Sequence, residues 1–501
     1  MIPNTFEIAE ITITFTSPMI VSNGMGNDIN DAICIADANG YPSIPGTSIA
    51  GALRHAFASA KNKDLADVIF GCPESEGGKN AGRRSLTTVS WAVPHDSTGR
   101  PVSPLIDTNQ KKDEVLDFLK AGVHRDHVRI NEFGVAADKG KFDELLVPRG
   151  ARFTFSILLD EDQDSDDEQV NLDDLVNILQ EQSFRFGGKT RRGFGAFVVS
   201  QVQKRRFNLH NKDDFEAFAK YSFDLSQDIP KSCGFEVDKP SNQAKKSKHI
   251  LSLKSHDFLL PSGGVGLKEV FSGDDNWEHA DIFPVYEYEI LWDEQGRGAR
   301  SKEPHFFLPS TSIKGILRHR TLFYLRVLEN KMLDEENKYK RYEKESDRPL
   351  SLADILDRQL FGTADKDEQI PGVVLVSEPI FKKKDNNFRS IQHVALDKFT
   401  NAPLTGALFT EMVLETFDQD VEIQISVDWE MLESRKIKDI AKIEDKRERK
   451  LSPEELKMMV KALNQACLDI AEGRLPLGGG TSRGHGRMIA TKPFQQFQVE
   501  G

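Results

Sequence analysis

The segment GGKTRRGFG (residues 187 to 195) places three cationic side chains, Lys189, Arg191 and Arg192, and the hydroxyl of Thr190 among glycines. Glycine lets backbone N–H groups approach a phosphate closely, Gly188 among them, so the loop is suited to a polyanion. It is not a nucleotide-binding P-loop, which needs GxxxxGK[ST] between a strand and a helix; here Lys-Thr precedes Arg-Arg-Gly-Phe-Gly and a strand pattern. A solvated glycine turn would explain one copy as well, but the loop recurs as GGGTSRGHG (478 to 486), with Thr481, Ser482 and Arg483, 291 positions further on. A second motif recurs in the same order, IPGTSIAGALRH from Ile44 and LPSTSIKGILRH from Leu308. Thr47, Ser48, Thr311 and Ser312 fall where a helix should begin, with Ser48 placed to cap it, and helix starts attract phosphate oxygens. Arg54, Arg318 and Lys314 lie one to two turns further along. A capped helix with a solvated basic face is the plainer account of either feature alone. His55 and His319 recur as well, but helical histidines are more often packed or exposed than catalytic.

These motifs define an internal duplication, and a third pair extends it: HVRINEFGVAADKGKFDE from His127 and HVALDKFTNAPLTGALFTE from His393, 266 positions apart. In the first copy, Ile11, Ile13 and Phe15 alternate with threonines, as in a half-buried strand. Ile49, Leu53 and Phe57 form the stripe of an amphipathic helix. VPRGARFTFSILL reads as a strand, NLDDLVNILQEQ as a helix and GAFVVSQV as a strand. The second copy repeats the order through HILSLKS, PSTSIKGILRH, FTEMVLET, PEELKMMVKALNQACLDI and GRMIA. The Gly-, Pro- and Ser-rich residues 71 to 126 are expected to form a long loop or β-hairpin, and the second copy carries a charged insertion near ENKMLDEENKYKRYEKESDR. This order predicts an α+β protein of two tandem ferredoxin-like (RRM-like) domains with loop and hairpin insertions. Residues 1–228 form the first, 229–247 a linker and 248–501 the second.

The formal charge of −13 over 501 residues excludes a chain that coats nucleic acid with its whole surface, so a polyanion site must be a local patch. Four scattered cysteines without a CxxC pair suggest neither a disulfide framework nor structural zinc, and no His or Cys cluster points to zinc in either copy. A reducing compartment fits. With no basic-apolar leader at the N-terminus and no 18-residue apolar run, a soluble, cytoplasmic protein is expected, without a membrane partner.

The paired motifs resemble the signatures of the repeat-associated mysterious protein (RAMP) superfamily of CRISPR systems, and within it the backbone subunits of type III effector complexes. Two such domains on one chain are similar to the fused subunits of type III-D variants. The resemblance implies a palm that grips guide CRISPR RNA and a β-hairpin thumb that kinks the guide–target duplex. It also implies partner subunits of the complex and cleavage of complementary target RNA. The catalytic aspartate of that family lies between the first strand and the IPG turn, which implies Asp31 as catalytic and metal-holding residue, with Asp28 close by. Asp281, followed by IFPV, is the best match in the longer loop of the second copy, which also holds Asp274 and Asp275. Oxygen ligation implies Mg²⁺ or Mn²⁺. A guide-processing endoribonuclease using His55 or His319, and a non-catalytic RNA-binding scaffold, are the competing functions.

Overall fold

The computed structural model describes the chain apart from residues 1–4, 23, 25–31, 74–81, 103–104, 106–111, 131–135, 162–169, 182, 241–248, 265–279, 330–349, 366–367, 383–387, 416–419, 439–447 and 499–501. Most of the second copy's charged insertion therefore lies outside the described residues. Two compact units result. The first comprises Met1–Thr190, Phe194–Lys246 and Tyr288–Lys302; the second comprises Arg191–Gly193, Ser247–Glu287 and Glu303–Gly501.

In the first unit, β1 (Thr5–Phe15) is followed by α1 (Gly46–Ala60), α2 (Lys63–Phe70), β2 (Thr87–Val89), β3 (Val93–Pro94) and α3 (Glu114–Ala121). Then come β4 (Val123–Ile130), β5 (Ala136–Leu146), β6 (Arg152–Asp160), α4 (Leu172–Leu179), β7 (Phe197–Asn208), α5 (Lys212–Phe218) and β8 (Glu236–Asp238). The alternation of β1 buries Ile11, Ile13 and Phe15 on one face, where Ile49, Leu53 and Phe57 of α1 and Leu172 and Leu175 of α4 complete the core. The sheet is antiparallel in the order β2-β6-β1-β7-β8, with β3 also on β6. Phe6, Ile8 and Phe207 form a smaller core on the opposite face with Ala217, Tyr221 and Cys233.

Three expectations change. Residues 71 to 126 are not one long loop or hairpin: β2 and β3 pair with β6, and α3 starts at Asp113, whose carboxylate accepts the Val115 and Leu116 N–H groups. The hairpin is β4–β5, which begins only at Val123, at the end of that range. The first part of the expected linker is folded, since β8 pairs with β7 and Cys233 is buried, while 241–248 lie outside the described residues. Tyr288–Lys302, expected in the second domain, belongs to the first unit: Trp292 donates its indole N–H to the Gly150 carbonyl at 2.7 Å and lies 3.9 Å beneath the Arg152 guanidinium.

The second unit holds β9 (His249–Ser255), α6 (Ser310–Leu328), α7 (Leu352–Phe361), β10 (Val374–Val376), β11 (Phe388–Leu396) and β12 (Pro403–Glu415). It closes with β13 (Val421–Val427), α8 (Trp429–Ser434), α9 (Pro453–Ala471) and β14 (Met488–Ala490). The Ser452/Glu455 capping box and Pro453 start α9, which buries Met459, Leu463, Ala466 and Ile470 in the core. The antiparallel sheet runs β10-β13-β9-β14. Its register repeats that of the first unit: Ile13 pairs with Phe153 and Val199, as Leu253 pairs with Val421 and Ala490. FTEMVLET, read as the counterpart of a sheet strand, is instead the return strand of the β11–β12 hairpin; the sheet strand is β13. Both segments alternate, so periodicity alone does not separate them.

Candidate nucleic-acid interface

The two helix starts are built alike. α1 and α6 are entered through Pro45 and Pro309 with no side-chain cap, and the N–H groups of Ser48 and Ser312 donate to the proline carbonyls at 2.9 and 3.0 Å. Ser48 is thus not the cap that its position suggests; the fixed φ of proline opens the helix three residues earlier. Thr47, Ser48 and Ser312 are left exposed in the first turn, and Thr311 is half-buried. His55 and His319 are exposed on the same helices.

The recurrent arginines have a structural task. Arg54 pairs with Asp67 of α2 at 2.6 Å, and Arg318 pairs with Asp357 of α7 at 2.7 Å. Both carboxylates are buried, so each arginine offsets a desolvated charge and ties two helices together. Burial pushes the Asp357 carboxyl above its usual range, although Arg318 draws it down. Lys314 does not lie on a solvated face: its ammonium donates to the carbonyls of Arg191 and Val374 at 2.9 Å.

The glycines of both loops serve first to let backbone approach backbone. Gly188 and Gly479 donate to the carbonyls of Ile20 and Leu260 at 2.7 Å. A Cβ on Gly195 or Gly486 would stand 1.9 Å from the carbonyl oxygen of Phe186 or Leu477. The Gly188 N–H, expected to meet phosphate, is therefore committed to the protein. In each loop a single turn of 3-10 helix follows, Thr190–Arg192 or Thr481–Arg483. Within the second unit, burial lowers the pKa of Arg191 despite Asp428, and its Nη2 contacts the Met431 sulfur at 3.7 Å. Arg192 is exposed, as are Thr481, Ser482 and Arg483.

The loops meet the hairpins at a buried glutamate that sequence reading did not single out. In the first unit, Glu144 of β5 is fully buried and ion-paired with Lys189, and His127 Nε2 lies 3.7 Å from it. The His127 ring stacks on Phe142 at 4.9 Å, with the Lys189 ammonium 5.1 Å from the same ring. In the second unit, Glu411 of β12 is fully buried and accepts hydrogen bonds from Arg483 at 2.6 Å, His393 at 2.7 Å and His485 at 2.6 Å. His393 stacks on Phe409 at 4.9 Å, with Arg483 5.7 Å away. Burial opposes ionisation of Glu411, but its bonds from His485, His393 and Arg483 prevail and hold the carboxyl below its usual range. The signal was present in the third repeated block, which ends KFDE in one copy and LFTE in the other.

The same glutamates anchor the acidic loops. Ala32 bridges to Glu144 and accepts from Leu145 N–H at 3.1 Å; Ile282 bridges to Glu411 and accepts from Met412 N–H at 2.9 Å. Asp281 directly precedes Ile282, the counterpart of Ala32. It is exposed, and its carboxylate accepts the Thr410 N–H at 2.8 Å. Asp31, Asp28, Asp274 and Asp275 lie outside the described residues.

A family model of the RAMP superfamily matches residues 12–198 and 294–489. The chain belongs to the RAMP superfamily. The matched regions take in the end of β1 through the start of β7, and α6 through β14, so Glu144 and Glu411, their hairpins and both glycine loops fall within them. No curated protein matches the chain. Among solved structures, a chain of the type III-B Cmr-beta complex bound to cognate target RNA, determined by cryo-EM, is 16% identical with a TM-score of 0.28; the match covers 40% of this RAMP protein and 61% of that chain. Among the described residues, no helix is long and apolar enough to cross a membrane.

Proposed function

We propose that this RAMP protein is a fused backbone subunit of a type III CRISPR effector complex, which grips guide RNA and cleaves complementary target RNA. The observation that carries the reading is the twice-built junction of acidic loop, hairpin base and glycine loop around Glu144 and Glu411. Each palm is read as ferredoxin-like, a reading supported by the common order of the four-stranded core, β2-β6-β1-β7 and β10-β13-β9-β14. The hairpins serve as thumbs. The second exposes Leu396, Leu404, Leu408 and the 88% exposed Phe399, apolar surface suited to wedging between stacked bases.

Guide phosphates are held at the exposed first turns carrying Thr47, Ser48, Thr311 and Ser312, and by Arg192, Thr481 and Ser482. Sequence selection is left to base pairing. In cleavage the ribose 2′-oxygen attacks the adjacent phosphorus while the bond to the 5′-oxygen breaks. This leaves a 2′,3′-cyclic phosphate and a 5′-hydroxyl that takes up the displaced proton. Asp31 and Asp281 are the carboxylates assigned to this step. An exposed carboxylate oriented by one backbone N–H, as Asp281 is, fits the one-carboxylate binding common for Mg²⁺, and suits Mn²⁺ by the same oxygen chemistry. Such an ion, when bound, supplies charge that stabilises the phosphoryl oxygens. Asp31→Ala and Asp281→Ala, each assembled with guide and matched target, test the reading: one cut should vanish per active domain while target affinity persists. A full ladder of cuts from the double variant refutes it. Cleavage that survives EDTA excludes the metal and favours the guide-processing chemistry assigned to His55 or His319.

A further inference from the structure

The two glutamate sites differ at one loop position. Where the first copy has Phe194, which packs edge-on against His127 at 6.1 Å, the second has His485, which is 6% exposed. Burying an imidazole in place of a phenyl ring costs desolvation unless its nitrogen has a partner of value. Charge balance on Glu411 does not demand it, because Arg483 already neutralises that carboxylate, as Lys189 neutralises Glu144. Nevertheless the Nε2 atoms of His393 and His485 converge on one and the same oxygen, Glu411 Oε1, at 2.7 and 2.6 Å. The three donors come from β11, β12 and the glycine loop, each fixed by backbone pairing.

We propose that His393, Glu411 and His485 form a zinc site peculiar to the second RAMP domain. Two imidazole nitrogens and one carboxylate oxygen are the donor set of three-ligand zinc centres, which leave a fourth position for water. That position falls on the side of His393, the most accessible of the three. The surroundings supply the outer support such sites need: Arg483 holds Oε2, which directs Oε1 to the metal, Phe409 stacks on His393, and Phe258 meets His485 edge-on. Thiolates are absent from the set, and imidazole with carboxylate suits Zn²⁺ better than the oxygen-seeking Mg²⁺. Accommodating an ion requires the donors to spread by roughly half an ångström, so that each reaches about 2.0–2.2 Å from the metal. In the first copy Phe194 removes one donor and Lys189 is paired with the remaining carboxylate, so no second site is expected there.

The test uses the full-length chain, stripped with chelator and titrated with Co²⁺ and Zn²⁺ in the absence of RNA. One equivalent of Co²⁺ should bind with the intense visible bands of a tetrahedral site, and Zn²⁺ should displace it and raise the melting temperature. His485→Phe, which installs the first copy's residue, should abolish the bands and the Zn²⁺ shift while leaving the far-ultraviolet dichroism unchanged. No tetrahedral Co²⁺ spectrum in the wild type, or an identical spectrum in the folded His485→Phe variant, overturns the proposal. Because metal content is read without RNA, this outcome is separable from failure of the ribonuclease reading.

Discussion

Glu144 and Glu411 occupy corresponding places in the two RAMP domains, yet their partners come from different loop positions. In the first domain Lys189 reaches Glu144 from a residue with φ of +55°, at the place where the second domain has Gly480 with φ of +68°. In the second, the cation is Arg483, the counterpart of Arg192. What has to be kept is one positive charge against a buried carboxylate, because an uncompensated buried charge is costly. Which residue provides it is free to change. Arg192 is exposed in the first loop, whereas its counterpart in the second is committed to the buried Glu411.

The largest effect expected from breaking this symmetry is catalytic. Asp31→Ala should slow its target cut by at least about 100-fold, corresponding to a loss of several kcal/mol. Asp281→Ala should match it only if the second domain is active, and cut mapping by gel reports each separately. Equal residual cutting in both would equate the two domains as scaffolds.

A second contrast lies in the sheets. The register aligns Glu10 with Ile250, so the first sheet buries a carboxyl where the second has an aliphatic chain. Burial pushes Glu10 up to about 7, against a hydrogen bond from Tyr221 that lowers it. A carboxyl with a raised folded pKa holds its proton more tightly when folded. Its contribution to stability is therefore complete below about 4.5, declines as pH rises and levels off above about 7. The decline amounts to about 3 kcal/mol. Denaturant titrations of Glu10→Gln at pH 5 and pH 8 should show that portion of the pH dependence removed.

Smaller effects are expected at the helix ties. Arg318→Ala strands Asp357 and should cost about 2 kcal/mol, a figure limited by the partial exposure of Arg318, and Arg54→Ala should cost less because Asp67 is less deeply buried than Asp357. Replacing Arg318 by Met and Asp357 by Leu together should recover much of the loss. RNA affinity equal to wild type in folded Arg318→Ala would complete the case that these arginines recur for packing alone. The smallest change is in salt dependence: Arg192→Ala should reduce the log–log slope for single-stranded RNA by about 0.7, one phosphate contact. Lys189→Ala should act instead through stability, since its charge belongs to Glu144.

Much of this was legible in the chain. The duplication is written in ordered motifs, and β1, α1, α4, β7, β9 and α9 follow from apolar spacing, because a strand or helix that must bury one face cannot hide its period. Asp281 could be chosen from its neighbours, and Ile282 beside it bridges to Glu411 as Ala32 does to Glu144. The repeated arginines have a second account for a physical reason: recurrence marks a position under constraint, and a buried ion pair constrains as strongly as a ligand does. The same holds of the glycines, since a residue without Cβ answers equally to a phosphate or to a carbonyl at close range.

By itself the sequence determined two copies of one α+β unit, the order of their elements, and the loops where polar chemistry gathers. Only the tertiary structure decided which charges are consumed internally and which stay exposed. His393, Glu411 and His485 are spread over 93 positions, and no spacing rule links them. They meet because a hairpin base and a glycine loop are brought together by a sheet whose hydrogen bonds join residues more than two hundred positions apart.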